Sequence, residues 1–489
     1  MKQAVKAILA GLLAVLLTAC QAPNNTSAAE KEVPTVQLLV IGGSKDEACK
    51  RISEQVSAIT LEKLGCRVEI QCAALTDYEL KLTRMRVDDE LPDIFVSQSK
   101  DKLSEFAASG EILCLDDVLE QEDALYQEVK NDIEWRNVTL ENHIYGIPFG
   151  NNQPYCAGFV MRKDICDALG IDAEQITDME ALHQVLLQVH QAYPDMMTVA
   201  PNYSNVTPVV NWDSMNNAVG MSAVGVLPYQ EPMENQLQLI TQIEAFRDWC
   251  QTMYQWNREG LIPENSSLNQ EPRQALMKSG MAFGGFVRYN QSSAINAEIS
   301  GGQEVYYALL SAPRLDYADN GSAFCISKNC VDPQLSLAVL RLLYTDDTLL
   351  QLCTLGQEGT DYHLVDGKPV SGEETTDQYI TTLWCWPNNR RLIASLGIEE
   401  KELPGSVCVS PASGFLLDSQ NCMEEYNACH ILLKQLYPAL INGEIDPEQG
   451  IPYLDEALRK AGAETLLQEE QRQLDNYRRE NGIQNRTQN

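Results

Sequence analysis

The chain opens on alternating strand and helix periods. Residues 36–41 are an unbroken apolar run, the pattern of a strand buried on both faces. Gly42-Gly43-Ser44 follows as a turn. Residues 46–64 then place Ile52, Val56, Ile59 and Lys63 on one helical face, and Gly65 stops them. Residues 66–72 and 93–97 predict two further strands, and residues 78–87 and 103–109 two further helices, the second ended by Gly110. This β-α-β-α-β order predicts the start of a doubly wound α/β domain. Residues 143–150 read as a strand interrupted by Gly146, Pro148 and Gly150, a segment that crosses from one lobe to another.

Beyond it the periods resume. A helix begins at Arg162 and ends at Gly170, and Asp178 caps another over residues 179–192. Residues 240–259 form an amphipathic helix. Residues 281–286, 306–310 and 323–327 read as strands, the last leading into a helix over 333–344. Residues 422–477 are mostly helical. Residues 196–236 are rich in Asn, Pro, Ser, Gly and Met and lack any period, so loops are expected there, Trp212 among them.

Composition narrows the function. Of 489 residues, 44 % are apolar and 21 % charged, which is globular, and the length fits two large lobes. With 36 Lys plus Arg against 69 Asp plus Glu, the formal charge is −33, which argues against nucleic acid as a partner. The 5 His are scattered and no C-x-x-C occurs among the 15 Cys, so neither a zinc site nor any other cofactor is expected. Cys325 and Cys330 are the first candidate disulfide pair. Overlapping S-x-x-K matches at Ser97–Lys100 and Ser99–Lys102 lack the companion boxes of penicillin-binding enzymes. Asp316-x-x-Asp319-Asn320-Gly321 lacks the ligand order of an EF-hand. No catalytic motif stands out, and no enzyme activity is expected.

The N-terminus predicts an address. Lys2 and Lys6 precede an apolar run over residues 7–17, too short to span a bilayer, and Leu17-Thr18-Ala19-Cys20 closes it. This order reads as a signal peptide over residues 1–19. The last four residues resemble the bacterial lipobox, which implies lipidation of Cys20 and a tether over 20–34. Removing residues 1–19, with Lys2 and Lys6, would move the side-chain charge from −33 to about −35.

Several segments in order resemble the family 1 extracellular solute-binding proteins of ABC importers, most closely the long Gram-positive lipoproteins with an extra C-terminal domain of unknown function. They are Leu91-Pro92-Asp93-Ile94, Tyr145-Gly146-Ile147-Pro148, Met161-Arg162-Lys163-Asp164 with Leu169-Gly170-Ile171, and Gly356-x-Glu358-Gly359-x-Asp361-Tyr362. In the tail, Gly414-Phe415 and Ala457-Leu458-x-x-Ala461-Gly462 continue the likeness. The resemblance implies an α/β, two-lobed clamshell with three crossings. Residues 35–147 and 285–322 would form lobe one. Residues 151–282 and 325–489 would form lobe two, with 405–489 as the C-terminal domain. It implies a small solute, an ABC permease as partner, a lipid anchor on the outer face of the cytoplasmic membrane, and a monomer. A sugar needs aromatic platforms flanked by hydrogen-bonding side chains. Four loop mixtures supply candidates: Asn151, Asn152 and Tyr155; Trp212 and Asp213; Arg288 and Tyr289; Trp386 and Asn388. A peptide or another small solute in the same fold is the alternative, and a surface-anchored hydrolase a more distant one.

Overall fold

The computed structural model describes residues 33–481 apart from 120–122, 130–131, 152, 202–211, 215–223, 229–235, 270, 292–293, 296–303, 316–321, 366, 372–376, 382–385, 388, 400–401, 413–414 and 416. Cys20, Asn152, Asn388 and the 316–321 turn therefore lie outside the described residues. Residues 35–489 group as one compact unit, separate from residues 1–34.

The chain begins as its periods predict. Strand β1 (Thr35–Ile41) leads into helix α1 (Asp46–Leu64), which ends where Gly65 adopts φ 71°. β2 (Arg67–Ala73), α2 (Leu75–Val87), β3 (Ile94–Ser97) and α3 (Lys100–Ser109) follow. Ser99 caps α3 by accepting from the Lys102 N–H at 3.2 Å, a structural role for the S-x-x-K serine. Helices α4 (Asp116–Leu119), α5 (Asp123–Glu128) and α6 (Asp132–Asn137) are short, as is the hairpin of β4 (Thr139–Leu140) and β5 (His143–Ile144). β6 (Ile147–Pro148) is the last piece before the chain leaves this lobe.

The second lobe opens with β7 (Cys156–Arg162), α7 (Lys163–Leu169) and α8 (Met179–Ala192). β8 (Met197–Val199), β9 (Trp212–Ser214), β10 (Gly225–Pro228) and β11 (Gln238–Leu239) come next. The segment expected to be loop thus holds three strands, β8 to β10, each too short to show a period. After α9 (Glu244–Arg258) and α10 (Arg273–Lys278) come β12 (Ala282–Tyr289), β13 (Val305–Leu309) and β14 (Arg314–Leu315).

β15 (Ala323–Ile326) then returns to the first lobe. It is followed by α11 (Pro333–Thr345), α12 (Asp347–Leu355), the hairpin of β16 (Tyr362–Val365) and β17 (Lys368–Ser371), and α13 (Asn389–Ser395). β18 (Cys408–Val409) leads back to the second lobe and its helices α14 (Met423–Ile441), α15 (Pro447–Lys460) and α16 (Ala463–Glu480).

Strand pairing corrects the expected division of the lobes. The first sheet has the order β2-β1-β3-β15-β6, with β2, β1 and β3 parallel and β15 antiparallel to both β3 and β6. The second has the order β13-β7-β12-β8, and both β12 and β13 run antiparallel to β7. β12 and β13 therefore belong to the second lobe, and residues 323–355 to the first. The two cores agree: one gathers Val36, Ile94, Phe324 and Leu340, the other Phe159, Phe246, Phe283 and Leu454. Gly284 shows how tightly β12 is held. A Cβ there would sit 2.2 Å from the Val160 carbonyl oxygen.

Two of the sequence motifs prove to be structural fasteners. Asp93 is buried and accepts from the Gln37 N–H at 2.6 Å and from the Val331 N–H at 2.5 Å. It ties β1 to the loop after β15. Asp361, 2 % exposed, receives the Arg51 guanidinium at 3.0 and 2.6 Å and the Gln357 and Tyr379 N–H groups at 2.7 Å each. Gly356 must be glycine beside it, because at φ 82° a Cβ would meet Asp361 Oδ2 at 2.4 Å. The thirteen described cysteines are free thiols. Cys325 lies in a buried strand while Cys330 is partly exposed beyond it; the thiols that touch are Cys49 and Cys72, which hydrogen-bond each other.

Candidate functional site

Three chain segments cross between the lobes, and they lie side by side. Tyr155 N–H donates to the Arg314 carbonyl at 2.9 Å, and Arg314 N–H returns to Tyr155 at 2.8 Å. β14 pairs in parallel with β18, so residues 155, 314–315 and 408–409 form one hydrogen-bonded strap. A further contact ties the lobes directly. Arg136 of α6 donates to Tyr477 Oη at 3.3 Å and to Asn481 Oδ1 at 3.0 Å, at the end of α16.

The proposed site residues divide around this strap. Tyr155 is buried in it, and the Arg288 guanidinium lies 4.8 Å from the centre of its ring. Tyr289, the next residue on β12, packs on Tyr307 of β13 with ring centroids 4.9 Å apart and planes inclined at 53°. Both rings are half-buried at the strap end of the second sheet. Arg273 of α10 belongs to the same neighbourhood. It donates to the Phe286 carbonyl at 2.6 Å, and its side chain lies over Gly285. Burial pulls its pKa down to about 10, and Tyr307 opposes that pull. Neither Arg273 nor Tyr307 is visible as a site residue in the sequence: Tyr307 meets Tyr289 only through the sheet, and Arg273 reaches β12 only by packing its helix on it.

The first lobe carries a ring pair of its own. Tyr126 of α5 is 38 % exposed and stacks, tilted by 33°, on Trp135 of α6 at 4.5 Å. Trp135 is pinned by its Nε1–H bond to the Val129 carbonyl at 2.9 Å, and Glu134 beside it accepts from the Gly150 N–H at 2.6 Å.

The other described candidates are engaged within the fold. Asn151 is a clamp: Nδ2 donates to the Trp386 carbonyl at 2.6 Å, and Oδ1 accepts from the Asn389 N–H at 2.9 Å. Trp386, expected on a loop of the second lobe, is 0 % exposed in the core of the first, edge-on to Phe324 at 6.2 Å. Trp212, expected on an open loop, is 3 % exposed in β9 and packs edge-on to Phe246 at 5.9 Å. Asp213 is buried beside it, paired in register with Leu227.

One group could hold a metal. The donor atoms of Cys114, Asp116 and His143 all lie within 4.8 Å of one another on the first lobe. No helix among the described residues is long and apolar enough to cross a membrane.

Comparison with known proteins places this geometry. A carbohydrate ABC transporter substrate-binding protein of Streptococcus pneumoniae is 23 % identical over 488 residues, 95 % of this chain and 96 % of that protein. The crystal structure of the N-glycan transport solute binding protein NgtS from Streptococcus pneumoniae superposes with a TM-score of 0.73 at 21 % identity, covering 91 % of this chain and 99 % of that one. The GacH receptor of Streptomyces glaucescens superposes with a TM-score of 0.54 at 12 % identity, over 88 % of this chain and 98 % of its own. The sequence pattern of a domain of unknown function, DUF3502, matches residues 411–479, which span the three C-terminal helices. That of the bacterial extracellular solute-binding proteins matches residues 54–360, running through both lobes and the first two crossings; the chain belongs to that family.

Proposed function

We propose that this protein is a lipid-anchored extracellular receptor that captures a neutral sugar or oligosaccharide between its lobes and passes it to an ABC permease. The observation that carries the sugar reading is the ring-and-guanidinium cluster at the strap: Tyr155 under Arg288, and Tyr289 on Tyr307. Sugars present apolar C–H faces to rings and hydroxyls to guanidinium and amide groups. The relatives point the same way. One is named for carbohydrate transport, and NgtS has been crystallised with Man1GlcNAc and with Man5GlcNAc. A peptide ligand is the second reading, since rings and arginine serve it equally. The acid excess of the chain favours an uncharged ligand over a sugar phosphate or polyuronate.

Isothermal titration of the mature protein against panels of neutral oligosaccharides and of short peptides decides between them. Binding of a sugar with compaction in small-angle scattering is the expected result, because hinge closure couples capture to a population shift. Arg288→Ala should then weaken binding about ten-fold or more, worth about 1.4 kcal/mol. Peptide binding with no response to any sugar would overturn the sugar reading.

The anchor rests on the lipobox at residues 17–20. Cys20→Ala should release the protein into the medium or leave its signal peptide uncleaved. Mature protein still held at the membrane in that variant would refute the lipid anchor.

A further inference from the structure

We propose that Cys114, Asp116 and His143 form a surface site on the first lobe for a divalent cation of the zinc class. One sulfur, one carboxylate oxygen and one imidazole nitrogen converge there within 4.8 Å of each other. Thiolate and imidazole are the ligands of zinc and its borderline-soft neighbours, whereas calcium and magnesium take oxygen. A tetrahedral ion with bonds of about 2.0–2.3 Å holds its donors roughly 3.3–3.8 Å apart, so it would seat on small side-chain rotations that part His143 Nδ1 from Asp116 Oδ2, now 2.6 Å away. Cys114 and His143 are exposed and free to make them.

The site is built by the backbone on either side of it. Leu115 N–H donates to the Ile144 carbonyl at 2.7 Å, and Ile144 N–H donates to Asp116 Oδ1 at 2.8 Å. These two bonds lace the segment before α4 to β5. They aim the other carboxylate oxygen, Oδ2, at His143 Nδ1, 2.6 Å away. The fixed Oδ1 bond is an outer contact of the kind that orients a ligating carboxylate. With three protein donors on an exposed surface, the fourth position is open to water or to a donor from elsewhere. Cys114 is also the one exposed cysteine among the described residues; the others are buried or half-buried. A soft ion therefore meets its thiolate here before any other described thiol.

None of its three donors belongs to the ring cluster at the strap, and the site does not depend on the ligand captured there. Cobalt(II) is the probe, titrated into the intact mature protein kept reduced with a phosphine. A near-ultraviolet thiolate-to-cobalt band with visible d–d bands is expected, and zinc should bleach both. Cys114→Ser should abolish the thiolate band, and His143→Ala should weaken cobalt binding about ten-fold or more. Zinc should also slow labelling of Cys114 by a thiol reagent under native conditions, an independent readout on the unaltered chain. Absence of the band at millimolar cobalt would overturn the site. So would a band undiminished in Cys114→Ser, or labelling indifferent to zinc.

Discussion

Trp386→Ala should cost about 4 kcal/mol of folding stability, the middle of the range for emptying a buried aromatic site. The ring is fully enclosed in the first core and meets Phe324 edge-on; Phe324 in turn meets Phe149 at 5.1 Å. Truncation leaves a cavity beneath a loop that is itself pinned, because Asn151 holds the Trp386 carbonyl and the Asn389 N–H together. The loop cannot collapse into the gap without releasing that clamp. Trp386→Phe should cost much less, about 1–2 kcal/mol, since Nε1 has no hydrogen-bond partner among the described residues and only part of the volume is lost. Denaturant unfolding of both variants measures the difference. A Trp386→Ala protein that is as stable as the parent but no longer binds ligand would return this residue to the site.

The second large effect concerns pH. Glu470 of α16 is 1 % exposed against Gly225 of β10, whose N–H donates to its carboxyl. Burial pushes its pKa up to about 8, against the single opposing hydrogen bond from Gly225. Its neighbours among the described residues, the Cys422 and Cys429 thiols and the side chain of Leu467, offer no counter-charge. The folded protein therefore holds this proton where the unfolded chain would lose it. Stability from this group is complete below the ordinary carboxyl range near 4.3. It falls as pH rises, and the loss is finished only above about 8. Between pH 5 and 7.5 that amounts to about 3 kcal/mol, at 1.4 kcal/mol per unit. Glu470→Gln removes the slope. Relative to the parent it should gain stability steadily from pH 5 to 8, as read by chemical denaturation at each pH. A stability difference that stays constant with pH would show that Glu470 is ionised in the fold.

The elements themselves were legible because they are long and periodic. Helix α1 and the strands β1 to β3 stand where residues 36–97 place them, down to the glycine that ends α1. The partnership of strands was not legible. Nothing in residues 323–326 says that they pair with β3 and β6 rather than with the strands just before them in the chain. A period reports which face of a strand is buried, not against which sheet. The tryptophans misled for a related reason. Asn211 and Asp213 around Trp212, and Pro387 after Trp386, mark a backbone turn or a short strand. A turn of that kind can cover a ring as readily as present it. The cation site was hidden by distance: 27 residues separate Asp116 from His143, and only the lacing of Leu115 to Ile144 brings them together.

The interleaved strand order has a consequence for how the protein is made. β15 lies between β3 and β6, so the first sheet stays split until residues 323–326 have emerged, after the whole of β7 to β13. The second core is likewise incomplete until α14 to α16 supply Leu433, Leu454 and Leu466. Neither lobe can finish as an N-terminal unit while the rest of the chain is still being delivered. Until then the apolar edge of β3 is open to the wrong neighbours, the circumstance in which long-range pairing makes folding slow and aggregation a hazard. The crossings that join the two lobes thus also oblige its two halves to mature together, late, from a nearly complete chain.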